Sequence, residues 1–208
     1  MTMAGMHFCV SFWSPQDAAT CMQIGQSVLW DNGAFSAYTK GAPMDETGLF
    51  EWLEPRLHHP HRAVVLDKIG GDVAEQKAMV ARWPFPRDLS WPVWHLDKPL
   101  EYLSDLADQW PGLCLGSAGA YWDVGSPSWE CRMDEVFTVL SRRRYMPWVH
   151  GLRMLGQVGK RWPLASADST NVAQNHSRDT GCAYCKARQI DHVQAPKRFE
   201  SEQLSLLM

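Results

Sequence analysis

The sequence predicts an α/β fold, most simply a compact, irregular TIM-like (β/α)8 barrel. Short apolar runs of strand length alternate with amphipathic stretches of helix length, which is typical of parallel βα units. The 208 residues suffice for one domain, and 45% hydrophobic against 21% charged residues allow a buried core. An open doubly wound sheet is the second interpretation of the same alternation.

Seven apolar runs have the length of buried strands, and several are rich in valine or aromatic residues. They span residues 7–12, 27–30, 63–66, 91–94, 113–115, 148–149 and 164–167. A complete barrel needs an eighth strand, which would have to lie near residues 175–194, where the sequence shows no clear apolar run.

Helical patterns separate these runs, at residues 15–24, 46–57, 73–83, 100–110 and 134–144. Three of them follow Ser14, Asp45 and Asp72, which are residue types that commonly cap a helix N-terminus. Within 46–57, apolar residues recur at helical spacing, so this helix is expected to bury one face.

A polar segment from residue 175 onward carries a Cys–His cluster with the spacing H-x5-C-x2-C-x6-H, formed by His176, Cys182, Cys185 and His192. Two thiolates and two imidazoles complete a tetrahedral site, so we expect a structural zinc ion. A redox C-x-x-C pair and chance cysteines in a polar loop are the alternatives. The chain is therefore expected to divide into a barrel, 1–174, and a zinc-binding appendage, 175–208, that is not an independent domain.

The charge balance disfavours some classes of protein. A formal net charge of −3 is unlike that of a protein that coats nucleic acid without sequence preference. The absence of an apolar run of about 18 residues predicts no membrane span. The first residues show no secretory signal, which together with six cysteines indicates a reducing compartment, the cytoplasm.

Polar or glycine residues follow six of the predicted strands, where parallel α/β proteins place their chemistry. A carboxylate there could attack a sugar carbon, a second could transfer protons, and a third could accept hydrogen bonds from a heterocycle. A helix cap or a turn explains any single aspartate equally well, so the hypothesis depends on three aspartates acting together. The residues are Asp31, Asp67, His95, Gly116 with Ser117, His150 with Gly151, and Asp168.

Several of these segments resemble a known family. Residues 31–36 (DNGAFS) look like the D-S-G-G-F/Y-Q segment of tRNA-guanine transglycosylases. Residues 150–152 and 162–170 (HGL and WPLASADST) are more similar to HG-x-G-x-T and YP-x-x-SVDST-x-W of a shorter branch, whose phage and bacterial members insert 7-deazaguanine bases into DNA. Residues 66–72, 92–95 and 99–103 also resemble that branch.

The resemblance implies a pentosyltransferase that exchanges guanine in DNA for a 7-deazaguanine base, on an irregular (β/α)8 barrel with a zinc subdomain. Asp168 would attack C1′ and form a covalent glycosyl-enzyme. Asp31 would handle protons and touch the incoming base, and Asp67 would read the N1–H and exocyclic amine. Phe35 and Met154 would stack on the two faces of the base, and backbone N–H groups of Gly116 and Ser117 would bind its carbonyl. His95 takes the place of a family glutamine. The remaining implied contacts are His150 and Gly151, with Trp30 and Trp94 among the aromatic residues at the rim of the site.

Basic residues near the proposed nucleophile and the Cys–His cluster are expected to contact phosphate groups; they are Lys160, Arg161, Lys186 and Arg188. The partners implied are DNA with a flipped or single-stranded guanine and a free 7-deazaguanine base, with no membrane. A homodimer is an open option, and a phage-encoded chain would act in the host cytoplasm.

Three other functions stay open. A tRNA-guanine transglycosylase would act on RNA, and DNA is favoured because the chain is short and its motifs resemble the DNA branch. A nucleic-acid glycosylase or nucleoside hydrolase would use the same acids with water. A zinc-stabilised nucleic-acid-binding module would have no catalytic activity.

Overall fold

The computed structural model describes residues 4–169, which form an α/β fold with two four-stranded parallel sheets. The first sheet contains β1 (His7–Ser11), β2 (Ser27–Asp31), β3 (Arg62–Val64) and β4 (Ser90–Trp91), in that order. The second contains β5 (Val93–His95), β6 (Gly112–Gly116), β7 (Trp148–Gly151) and β8 (Ser166–Ala167), also in that order.

Pro92 separates the two sheets. The sequence predicts one strand over residues 91–94, whereas the structure has β4 pairing with β3 and β5 pairing with β6 on either side of Pro92. Proline has no N–H to donate to a ladder, so the strand is interrupted there. The Pro92 carbonyl still accepts a hydrogen bond from Cys114 N at 2.8 Å, so the residue that follows β4 is bonded to β6 of the second sheet.

Strand order follows chain order in both sheets, and every pair is parallel. A doubly wound sheet reverses its order at a switch point, and no such reversal occurs among the described strands. The described residues also show no pairing between β8 and β1, so the sheets do not close into a barrel within 4–169. The eighth strand expected near 175–194 and the appendage 175–208 lie outside the described residues.

Six α helices connect the strands within 4–169: α1 (Ala18–Ile24), α2 (Ala34–Lys40), α3 (Glu46–Leu53), α4 (Val73–Ala81), α5 (Leu100–Gln109) and α6 (Pro127–Ser141). Two of the three expected caps are present, since Asp45 accepts from Gly48 N and Asp72 forms a capping box with Glu75. The expected cap at Ser14 is wrong, because its side chain makes no capping bond and a 3-10 turn, Pro15–Asp17, precedes α1. None of these helices is long and apolar enough to cross a membrane.

Helices α6 and α2 depart furthest from the sequence prediction. Helix α6 begins at Pro127 and not at residue 134, because the Ser126 side chain accepts from Trp129 N and Pro127 suits the first helical position. Helix α2 was not predicted, since the segment after β2 contains Asn32 and Gly33, which indicate a turn.

The core lies between the sheets and the helices. Helix α5 buries Leu103 and Leu106, and α6 buries Trp129 and Met133. Trp30, Trp94 and Trp129 are fully buried core residues. The expectation that Trp30 and Trp94 would stand at the rim of a site is therefore wrong, because both side chains point into the packed interior, where each satisfies its N–H on a backbone carbonyl.

Candidate functional site

A large cavity of about 1960 Å³ runs along the strands, and Asp31, Asp67 and Asp168 all line it. These residues come from the ends of β2, β3 and β8, and are far apart in the sequence. The carboxyl ends of parallel strands meet at one edge, which brings the three side chains together. The charges of Asp168 and Asp67 each raise the pKa of Asp31, so the three groups interact electrostatically.

Asp31 is the last residue of β2 and lies opposite Ser11 of β1. Burial raises the pKa of the Asp31 carboxyl to about 6, although hydrogen bonds from Ser11 and from Gly33 N oppose the shift. Gly33 donates at 3.2 Å and has φ of 78°, a backbone conformation that glycine adopts without strain. A carboxyl group with this pKa can give and take a proton near neutral pH.

Asp67 is held by two buried side chains. Asn32 Nδ2 donates to Asp67 Oδ1 at 2.8 Å, and His95 Nε2 lies 2.8 Å from Asp67 Oδ2. Asn32 is itself fixed, because Nδ2 also donates to Val65 O and Oδ1 accepts from Ala34 N, each at 2.8 Å. The Asp67 carboxylate therefore has a defined orientation at the cavity wall.

Asp168 directly follows β8 and is held by the segment after β7. Its Oδ1 accepts from the backbone N–H of Arg153 at 2.7 Å, and its carbonyl accepts from Leu155 N at 3.0 Å. His150 of β7 lies beside it, with Nε2 at 3.4 Å from Asp168 Oδ1. His150 Nδ1 is hydrogen-bonded to Ser166 Oγ at 2.8 Å, whereas the buried Nε2 has no hydrogen-bond partner among the described residues.

The predicted contact loop after β6 also lies at the cavity. A Cβ atom on Gly116 would come within 2.8 Å of His95 Nδ1, so only glycine leaves His95 in its place beside Asp67. Ser117 Oγ accepts from Trp129 Nε1 at 3.0 Å, which turns the hydroxyl toward the core. Both residues line the cavity, as the strand-end prediction requires.

The predicted sandwich of Phe35 and Met154 is only half present. Phe35 lines the cavity at its exposed mouth, with 47% of its surface accessible. Met154 is fully buried in the hydrophobic core, against Gly151, and does not line the cavity. The guanidinium of Arg153 lies over the Phe35 ring instead, at 4.4 Å from its centre.

Arg153, Asn32 and Ser11 line the cavity, contact the three aspartates and were missed by the sequence analysis. Arg153 occupies the second glycine position of the HG-x-G pattern and has φ of 61°, so the departure from glycine was the available signal. Asn32 follows Asp31 directly and was interpreted as part of a turn. Its buried contact with Asp67 joins residues from different strands, which no local pattern reveals.

The predicted phosphate and metal contacts fall mostly outside the described part of the chain. Arg161 lies within it, forms an ion pair with Asp134, and neither it nor Lys160 lines the cavity. Within 4–169 no cluster of three or more metal-ligating side chains occurs. The remaining candidates, Lys186, Arg188, His176, Cys182, Cys185 and His192, lie beyond residue 169.

Comparison with known proteins identifies no relative of this chain. No protein-family model, curated protein or solved structure matches it. The function is therefore inferred from the chemistry of the cavity. It combines a carboxyl group of raised pKa, a carboxylate held by two buried side chains, and a carboxylate held by a backbone N–H.

Proposed function

We propose that the protein is a glycosyltransferase that exchanges guanine in DNA for a 7-deazaguanine base, through a covalent intermediate on Asp168. The observation that supports this most directly is the meeting of Asp31, Asp67 and Asp168 at one cavity. Double displacement at a sugar carbon needs a nucleophile, a proton carrier and a group that recognises the base. The three carboxyl groups differ in their surroundings as those three tasks require.

In the first step an Asp168 carboxylate oxygen attacks C1′ of the nucleotide. The C1′–O bond forms as the bond from C1′ to guanine N9 breaks, and the bonding electrons leave with the base. Asp31, whose pKa is about 6, can supply the proton that neutralises the departing guanine. In the second step the incoming base returns a proton to Asp31, and its ring nitrogen displaces Asp168 from C1′.

Asp67 is the proposed reader of the base. Its two oxygens each accept one bond from the protein, from Asn32 and His95, and each keeps a lone pair for a further donor. Guanine and 7-deazaguanines share the N1–H and exocyclic amine, which two adjacent carboxylate oxygens can accept together. They differ at position 7, so one pocket can bind both the leaving and the entering base.

We also propose that the two sheets are parts of an irregular (β/α)8 barrel. The chain-ordered parallel strands support this arrangement, as does the cavity that residues of both β1 and β8 line. The C-terminal Cys–His cluster is proposed to bind zinc, and the cytoplasm is the proposed location. In duplex DNA the target nucleotide would have to be flipped out of the stack to reach the cavity.

A trapping experiment tests the nucleophile. The protein is incubated with a single-stranded DNA oligonucleotide containing one guanine, and a covalent adduct is sought by denaturing electrophoresis and intact-mass spectrometry. Wild-type protein should form the adduct, and Asp168→Asn should abolish it. Asp105→Asn is the matched control, because it removes a carboxylate from the exposed face of α5. Full activity of Asp168→Asn would exclude the proposed mechanism.

Product analysis separates the competing functions. Base exchange requires an added 7-deazaguanine and leaves an intact strand with the new base. A glycosylase would leave abasic sites without any added base, and a tRNA enzyme would act on RNA oligonucleotides but not on DNA. A binding module would retain oligonucleotide affinity when Asp31, Asp67 and Asp168 are replaced together by alanine, and would form no adduct.

A further inference from the structure

Arg153 connects three parts of the cavity mouth. Its backbone N–H donates to Asp168 Oδ1 at 2.7 Å, and its guanidinium donates to Ser117 O at 3.3 Å. The same guanidinium lies 4.4 Å above the centre of the Phe35 ring. Both Arg153 and Phe35 are exposed, so this cation–π pair faces solvent where a ligand must enter.

The backbone at Arg153 does not require this side chain. Its φ of 61° lies in the left-handed region, and it is the non-glycine residue with positive φ within 4–169. Glycine adopts that conformation without a steric penalty and would donate the same N–H to Asp168. An arginine there costs folding free energy, which suggests that its side chain has a role in function.

The guanidinium of Arg153 also forms no ion pair with a carboxylate side chain in the described part of the chain, which suits the binding of an anion. Unlike other arginines in that state, Arg153 lies at the cavity beside Asp168. A guanidinium has five N–H donors, and among the described residues one of those of Arg153 is bonded, to Ser117 O. The three carboxyl groups of the cavity repel an approaching polyanion, so a cation at the mouth offsets that repulsion.

We propose that Arg153 binds the phosphodiester group adjacent to the exchanged nucleotide, and so makes the site select a nucleotide within a strand over a free nucleoside. This inference rests on the proposed function, since it places the deoxyribose of the exchanged nucleotide at Asp168. The phosphodiester groups are attached through C3′ and C5′ to that same deoxyribose, whose C1′ Asp168 attacks. Arg153 directly contacts Asp168 through its backbone and is therefore within reach of them.

The test uses Arg153→Gly, which keeps the N–H to Asp168 and relieves the backbone. Its thermal midpoint should equal or exceed that of the parent. Binding is measured in the Asp168→Asn background, so that no adduct forms, with a single-stranded DNA oligonucleotide containing one guanine. Affinity should fall at least about tenfold, and the slope of log K against log salt should decrease by about 0.7, as expected for one lost phosphate contact.

Two controls locate the contact. Arg82→Ala removes an equal charge away from the cavity and should leave both the affinity and the salt slope unchanged. An oligonucleotide with an uncharged methylphosphonate beside the guanine, on its 5′ or its 3′ side, should bind Arg153 protein more weakly. On the side that Arg153 contacts, the methylphosphonate should cause no further loss of affinity in Arg153→Gly. Affinity for free guanine should be the same with either residue.

The outcomes separate this inference from the proposed function. An unchanged affinity and salt slope in Arg153→Gly would overturn the phosphate contact, even if wild-type protein forms the covalent adduct. Equal loss of affinity for free guanine would also overturn it, because Arg153 would then contact the base. If wild-type protein forms no adduct but Arg153→Gly loses the phosphate-dependent binding, the contact stands and the transferase function fails. If Arg153→Gly does not fold, Arg153→Lys takes its place in the test. This variant keeps the positive charge, so the salt slope should be unchanged while the affinity falls.

Discussion

Asp31, Asp67 and Asp168 carry the same carboxyl group in three different surroundings. Asp31 is half-buried near like charges, Asp67 is oriented by Asn32 and His95, and Asp168 accepts a backbone N–H. Residue type alone could not assign a task to each of them. Their contacts can, because burial and charge set which carboxyl group carries a proton near neutral pH.

The raised pKa of Asp31 predicts how stability depends on pH. The folded protein holds the Asp31 proton up to about pH 6, whereas an unfolded aspartate releases it near 3.8. The relative stabilisation is therefore complete below about pH 4 and is lost as the pH rises through about 6. Asp31→Asn stays neutral, so it should match the parent at pH 4 and exceed its thermal midpoint by several degrees at pH 7.5.

Thermal unfolding of both proteins between pH 4 and 7.5 measures this difference. Asp45→Asn serves as the control, since that carboxylate caps an exposed helix end outside the cavity. A constant difference in midpoint between Asp31→Asn and the parent across this range would contradict a raised pKa. Loss of adduct formation in Asp31→Asn is expected separately, because asparagine transfers no proton.

The elements of the fold were predicted with uneven success, and the reasons are physical. Caps at Asp45 and Asp72 located the starts of α3 and α4, because capping is a local interaction. Helix ends were placed too late, at 57 and 83 against the observed Leu53 and Ala81. Apolar residues continue past both ends, and they pack on the core from turns that the periodicity cannot distinguish from helix.

Helix α4 supports the site through Gln76, which is 1% exposed. Its side chain bonds both the N–H and the carbonyl of Lys68, the residue after Asp67. Gln76→Leu leaves the Lys68 N–H unpaired and removes one of two bonds to the Lys68 carbonyl, which still accepts from Gly71 N, so it should destabilise the protein by about 1–3 kcal/mol. Affinity for free guanine should fall as well, because the loop that carries Asp67 loses its anchor.

Chemical denaturation and guanine titration of Gln76→Leu check this prediction. Gln109→Leu is the matched control at the exposed end of α5 and should change stability by less than about 0.5 kcal/mol. Equal effects of the two substitutions would show that Gln76 does not anchor the loop. A loss of stability with unchanged guanine affinity would separate the anchor from the proposed base reader.

Taken as a whole, the molecule places its chemistry where parallel strands end. The six predicted strand ends all contribute to one cavity, through residues from β2, β3, β5, β6, β7 and β8. This prediction could be made from order and polarity, because every parallel strand points its carboxyl end the same way. Residues of β1 and β8 line that cavity too, which is why a barrel remains the proposal for the complete fold.

The C-terminal cluster yields a prediction about metal content. Purified protein should contain about one zinc ion per chain, as expected for a four-ligand closed site, and Cys185→Ser should lose it. Cys131→Ser is the control, since that thiol is exposed on α6. Elemental analysis of the three proteins gives the answer, and chelation should lower the thermal midpoint of the wild type. Zinc-free wild-type protein, or zinc retained by Cys185→Ser, would contradict the proposal.

The amino-acid sequence alone predicted the alternation of strands and helices, the strand ends and the positions of the three aspartates. Each depends on hydrophobic periodicity or capping, which act over a few neighbouring residues. Tertiary structure alone decided that His95 holds Asp67, that Met154 is core, and that Arg153 covers Phe35. The residues of each pair belong to different strands or loops. Side chains from such distant segments come into contact only through tertiary packing, which local sequence patterns do not determine.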